Sequence, residues 1–383
     1  MTQENKRIWL SSPHMGGNEE KYVKEAFDAN WVAPAGPNLN RFEDCLSKYF
    51  GVSSSCALSS GTAGLHLALI NAGVKQGDYV LCQSMTFIGS ANPIMYLGAH
   101  AVFIDSEMDT YNMDPDLTRK AIEDIIKTKK KKPAAIIPVH LYGMPAKMAE
   151  LEEISMEYDV PLIEDAAEAA GSKYLGKACG SFGRMSVLSF NGNKVITSSG
   201  GGALLSNDKY MVDRARFLST QAKDNAPHYE HSRVGYNYRM SNISASIGLG
   251  QMEVLDDRVR GRRAIFDAYK KEFEDYEGIE FLLEPYGFYS NRWLTTILVH
   301  PEKTNGITRE HIRLALDAKN IESRPLWKPL HMQPLFEGSI YYVNGVSEYL
   351  FQKGLCLPSG TNMSDEDLKL IFKSIHEILN HSS

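Results

Sequence analysis

Between residues 55 and 206 short apolar runs alternate with helix-forming segments, and that alternation leaves few architectures open. The runs fall near 55–58, 79–82, 101–104, 135–139, 160–163, 185–190 and 202–206. Helical patterns lie between most of them, one opening at Asp114-Pro115, an N-cap with proline at the first helical position. Apolar strands separated by helices build a mostly parallel sheet with helices on both faces. The expected class is α/β, with a large domain over residues 1–250 holding a mostly parallel seven-stranded sheet. After that the pattern changes. A long helical stretch over 243–276 leads to a strand near 292–299, a helix from Arg309 and a last helix opened by the capping box Ser364-Asp-Glu-Asp367. Residues 251–383 therefore read as a smaller α+β domain.

A parallel sheet binds ligands at the carboxyl ends of its strands. Two of the runs deliver chemistry there. Val160-Pro-Leu-Ile163 leads to Glu164 and Asp165, and Met185–Phe190 leads to Lys194 on an Asn/Gly-rich turn. A lysine and an aspartate in one crevice suit pyridoxal phosphate, which needs an amine for its aldehyde and a carboxylate against its pyridinium nitrogen. The amine reacts only when unprotonated, so burial or neighbouring positive charge has to favour the free form. Taken singly, each residue has a plainer role: most turn lysines are solvated, and most aspartates after strands cap helices. The first strand ends at Ser60-Gly-Thr62 before a helix, where backbone N–H groups and two hydroxyls could cradle a phosphate, with Ser189 as a further hydroxyl. Ser-Gly-Thr is also an ordinary helix start. Phe87, after the second strand, could stack on a planar ring or fill core.

Charge and cysteine usage exclude other classes. A formal net charge of −6 gives no reason to expect nucleic acid, and the basic run Lys129–Lys132 reads as a solvated helix end. Five cysteines without CxxC spacing suggest reduced thiols in a cytoplasmic protein. Met1-Thr-Gln-Glu-Asn-Lys-Arg7 has no apolar signal core, and no apolar run approaches membrane-spanning length.

Six segments then occur together: Ser60-Gly-Thr62, His140-Leu-Tyr-Gly143, Glu164-Asp-Ala-Ala-Glu168, Ser189-Phe-Asn-Gly-Asn-Lys194, Gly235-Tyr-Asn-Tyr-Arg-Met240 and Arg324-Pro-Leu-Trp-Lys328. In this order they resemble the DegT/DnrJ-type sugar-nucleotide aminotransferases over nearly the whole chain. The resemblance implies the type I fold of pyridoxal phosphate enzymes, glutamate as amino donor and a homodimer with shared sites. It implies Lys194 as the Schiff-base lysine, Asp165 against the pyridine nitrogen, Phe87 on the ring and Glu168 at its polar edge. Ser60, Gly61, Thr62 and Ser189 would hold the phosphate, reached by Asn237 of the neighbouring subunit. Met15, Asn38, His140, Asn291, Arg292, Trp327, Lys328 and His331 would lie near the nucleotide sugar. Ser12–Asn18, Tyr229-Glu-His231 and Ser290–Leu294 are most similar to members that aminate UDP-2-acetamido-2,6-dideoxy-4-keto-glucose in bacillosamine-type pathways. A GDP-4-keto-6-deoxymannose aminotransferase is the alternative, and a non-catalytic cofactor-binding regulator the third. Two details bear on this. Gly200 stands where many members have an acidic residue, and Lys194 is kept where dehydrating relatives have histidine.

Overall fold

A computed structural model describes residues 6–380; Met1–Asn5, part of the stretch read above as lacking a signal core, lie outside the described residues. The large sheet is built from β1 (Ser54–Leu58), β2 (Tyr79–Gln83), β3 (His100–Ile104), β4 (Ala135–Ile137), β5 (Ile163–Asp165), β6 (Met185–Ser189) and β7 (Gly202–Ser206). These pair as β1-β7-β6-β5 and as a set carrying β3-β2-β4. Parallel bridges Ile136↔Leu162 and Val139↔Asp165 join the two sets side by side. Seven strands are therefore present in the order β1-β7-β6-β5-β4-β2-β3, and β7 alone among them runs antiparallel to its neighbours. The sequence did not announce an eighth. Ile340–Tyr342, here β8, returns from the C-terminal region and pairs parallel with β3 along Val102–Ile104.

Alternation along the strands explains the two covered faces. Val80, Cys82, Phe103 and Ile137 pack with the helix over residues 61–72, whereas Leu81, Val102, Ile104 and Ile136 pack with helices over residues 115–129 and 148–158. Two boundaries differ from expectation. β5 begins at Ile163 rather than at residue 160, so Asp165 is the last strand residue instead of lying beyond it. Pro161 has no N–H to give, and its carbonyl instead accepts from Ile136. The expected helix over 243–276 is two helices, α4 (Asn242–Met252) and α5 (Leu255–Glu272), once α1 (Glu19–Asp28), α2 (Pro37–Phe50) and α3 (Gly61–Ala72) are counted. Asp256 and Asp257 in the first turn of α5 suit a fresh helix N-terminus.

Asp114 caps its helix as expected, and Ser364 with Asp367 forms the reciprocal pair of the capping box. Within the run Lys129–Lys132, Lys131 pairs with Asp78 and Lys132 with Asp159. The C-terminal region adds an antiparallel sheet of residues 279–281, 295–299, 354–357 and 324–325. Because β8 belongs to the large sheet, a division near residue 250 is crossed by the chain a second time. No helix among the described residues is long and apolar enough to cross a membrane.

Candidate active site

Asp165 and Lys194 meet in one cleft of about 360 Å³ at the carboxyl ends of β5 and β6. Asp165 is buried; its Oδ2 accepts the Ser90 hydroxyl at 2.7 Å and its Oδ1 the Ala167 N–H at 3.1 Å. The Ser90 hydroxyl is in turn 2.8 Å from that of Thr86. Burial pushes the Asp165 carboxyl up from its ordinary value, while these hydrogen bonds and the charge of Lys194 pull it back. A buried carboxylate with two neutral donors and a lysine nearby is one in search of a further cation. A protonated ring nitrogen would supply it.

Lys194 closes the turn after Phe190, its own N–H donating to the Asn191 carbonyl at 3.0 Å. Its Nζ lies 3.6 Å from Glu168 Oε1 and 4.1 Å from the centre of the Trp293 ring. Burial lifts Glu168 to about 7, against the pull of Lys194. The other oxygen of Glu168 accepts the Tyr142 N–H at 2.6 Å. That N–H faces Glu168 because Tyr142 adopts the left-handed region, φ 52°. Gly143 follows at φ 90°, where a Cβ would sit 1.9 Å from Asn291 Oδ1. Glycine is required there by both conformation and space.

Across the cleft, Ser60 caps α3 by accepting the Ala63 N–H at 3.0 Å. Gly61 and Thr62 occupy the first turn, where N–H groups have no intrahelical acceptor. A Cβ on Gly61 would meet Ser189 Cβ at 3.2 Å, and one on Gly202 would meet Gly61 N at 2.4 Å. The backbone is thus left bare and crowded from behind, with Thr62 and Ser189 beside it. Phe87, more than half exposed, and Trp327 form the outer wall, their rings 5.7 Å apart. Gly200 lines the same cleft with open space around it. The donors, the buried carboxylate, the lysine and the exposed ring together fit pyridoxal phosphate.

Several expected sugar contacts lie elsewhere. Asn38 is buried, bonded to the Tyr22 carbonyl and Ser246 between α1, α2 and α4. His140 is buried just past the end of β4, Nδ1 accepting the Ala146 N–H and Nε2 donating to Glu164 at 2.7 Å. Asn291 donates to the carbonyls of Glu168 and Ala170, and Arg292 is buried over Phe266 with a hydrogen bond to the Leu282 carbonyl. These four are buried and outside the lining of the cleft in this chain, with most of their polar atoms engaged and Arg292 Nε left without a partner. Met15 is exposed but lies beside Val23 and Phe27 on the α1 surface. Lys328 lines a chamber adjoining the cleft, while His331 bonds Ser84 and faces Glu348. Asn237 is exposed and outside the cleft of its own chain. Ser90 and Trp293 escaped sequence reading. Trp293 stands next to two residues singled out for the sugar, and only its fold-given angle reveals it.

The sequence profile of the DegT/DnrJ/EryC1/StrS aminotransferase family matches residues 13–376. The chain belongs to this family. EpsN of Bacillus subtilis (strain 168), provisionally named a pyridoxal phosphate-dependent aminotransferase, is 50% identical over 95% of this chain and 93% of its own. The GDP-perosamine synthase of Escherichia coli O157:H7 is 37% identical over 97% of this chain and 98% of its own. Among solved structures, the Streptococcus pneumoniae protein Spr1654, provisionally a sugar aminotransferase, superposes in its PLP form with a TM-score of 0.88. Its identity is 26%, covering 99% of this chain and all of that one. A PMP form of the same protein aligns equally well. As a DegT/DnrJ/EryC1/StrS member, the protein is a PLP-dependent sugar aminotransferase with the type I fold.

Proposed function

We propose that the protein moves the amino group of glutamate to C4 of UDP-2-acetamido-2,6-dideoxy-4-keto-hexose, giving the 4-amino-4,6-dideoxy sugar nucleotide in the cytoplasm. One observation carries the catalytic part: Lys194 Nζ, 3.6 Å from Glu168, shares a cleft with the buried Asp165. When bound, pyridoxal phosphate supplies an electron sink and stores the amino group between the two substrates. Asp165 would face the ring nitrogen and favour its protonated form. The bare N–H groups of Gly61 and Thr62, with Ser60 and Ser189, would hold the phosphate at the helix start. Phe87 would cover the ring. Lys194 Nζ would anchor the cofactor and, once free, take the proton from the donor's α-carbon and later return one to the sugar's C4. Trp327 and Lys328 border the mouth through which the sugar nucleotide would enter. Asn237 would serve the cofactor of a second copy in a homodimer, since it is exposed outside its own cleft.

The UDP-linked substrate rests on the likeness of Ser12–Asn18, Tyr229–His231 and Ser290–Leu294 to members acting on that sugar. A second reading, GDP-4-keto-6-deoxymannose, is favoured by the 37% identity to a GDP-perosamine synthase. Incubating the enzyme with glutamate and each sugar separately, and identifying products by mass spectrometry, decides between them. Amination of the UDP sugar is expected. Amination of the GDP sugar alone would replace it.

A further inference from the structure

Trp327 lines two spaces at once, the cleft that holds Lys194 and a chamber of about 570 Å³ beside it that also contains Arg324 and Lys328. Little backbone holds this partition in place. The chain reaches it from the short strand Arg324–Pro325, and the Leu326 N–H makes the last bond to that sheet, donating to the Gly354 carbonyl at 3.1 Å. Beyond Trp327, the next N–H tied to a distant segment is that of Leu330, which donates to the Ser84 carbonyl at 2.8 Å. In between, the Trp327 N–H donates to a side chain, the Tyr142 hydroxyl, at 2.9 Å.

Tyr142 is itself over-determined. Its left-handed backbone turns its N–H onto Glu168, and its buried ring lies between two indoles, 6.3 Å from the centre of Trp293 and 5.4 Å from that of Trp327. The Cys356 sulfur is a further partner of its hydroxyl, so the one oxygen grips both the strand leading to Trp327 and the strand paired with it. A phenylalanine would fill the same space. What the oxygen adds is an acceptor for an N–H that no neighbouring strand serves. We propose that Tyr142 is a positioning residue for the sugar half of the reaction: its hydroxyl fixes the Trp327 backbone, and with it the angle of the indole between cleft and chamber. Glutamate is small and meets the cofactor at Lys194 without leaving the cleft. A sugar nucleotide is several times longer and has to run out past Trp327. The inference rests on Trp327 bordering the path of the sugar, not on which base that sugar carries.

Following the two halves of the reaction separately tests it, on the holoenzyme as parent, Tyr142→Phe, Trp327→Ala and the double variant. Glutamate alone converts the PLP form to the PMP form, seen as loss of the cofactor's visible absorbance. UDP-2-acetamido-2,6-dideoxy-4-keto-hexose, added once glutamate is removed, restores it. Tyr142→Phe is expected to leave the glutamate half within about twofold and to slow the second-order rate of the sugar half about 5- to 50-fold. In the Trp327→Ala background the same change should add little, because the indole it positions is gone. Replacing the Trp327 N–H with an ester oxygen, by incorporating the α-hydroxy analogue of tryptophan, removes the same bond from its other side. It should give the same pattern, and it carries the test if Tyr142→Phe does not fold. Equal losses in both halves, an unchanged sugar half, or a full further loss in the Trp327→Ala background would overturn the proposal. If the parent accepts only GDP-4-keto-6-deoxymannose, that sugar serves throughout, and the UDP assignment falls without touching Tyr142.

Discussion

Lys194 and Glu168 lie 3.6 Å apart in a cleft that shields both from water, so the lysine's charge opposes the effect of burial on the Glu168 carboxyl. Replacing Lys194 with Ala is expected to reduce product formation to background, because anchoring and proton transfer rest on the same nitrogen; appreciable turnover would refute its role. Glu168 gives a sharper reading. Burial raises it from 4.5 to about 7, so the folded chain holds this proton more tightly than the unfolded one. Its contribution to stability is full below about pH 4.5 and is lost as pH rises through about 7. In the cofactor-free protein, Glu168→Gln should therefore gain stability over the parent with rising pH. The gain should reach the order of 3 kcal/mol above neutrality, read from denaturation midpoints at several pH values. Lys194 and Asp165 were legible because each follows an apolar run, and strand ends point into the crevice. The burial of Asn38, His140, Asn291 and Arg292 was not legible, because a polar residue in a loop-like segment gives no sign of whether the fold will bury it. Trp293 was passed over because its meaning lies in an angle to the Lys194 amine, which no linear pattern contains.

α3 is the element that brings the Ser60–Thr62 end of the cleft into register with the lysine end. It packs through Gly64, where a Cβ would lie 2.8 Å from Val187 Cγ1 on β6. Gly64→Ala should push the helix off the sheet, costing about 1–3 kcal/mol by overpacking. Because Ser60–Thr62 ride on its first turn, the same change should weaken retention of pyridoxal phosphate, measured by cofactor release on dialysis. Loss of stability with unchanged retention would separate the helix from the cradle. The strands and most helices could be placed from periodicity alone. The late start of β5 and the break between α4 and α5 could not, since one depends on a carbonyl given to a neighbouring strand and the other on where α5 packs.

At the scale of the molecule, Arg262 is the tie between distant parts. It is fully buried on α5 and donates to the carbonyls of Trp293 and Ser359, to Ser11 Oγ and, more weakly, to the Lys194 carbonyl. Its hydrogen bonds go to carbonyls and a hydroxyl, and burial lowers it to about 9. Arg262→Met would leave buried carbonyls without donors and is expected to cost about 1–3 kcal/mol in chemical denaturation. An unchanged midpoint would show that water replaces it. The α/β class and the number of strands before residue 250 could be anticipated, but their spatial order and a tie between four segments far apart in sequence could not. β8 belongs with these long-range features, and its consequence concerns time. About 240 residues separate the end of β3 from the end of β8, tens of seconds of translation. Throughout that interval the rim of β3 is bare, a template for any neighbouring nascent chain on the same polysome. Messages that stall ribosomes before codon 340 should therefore yield clumped products rather than merely short ones.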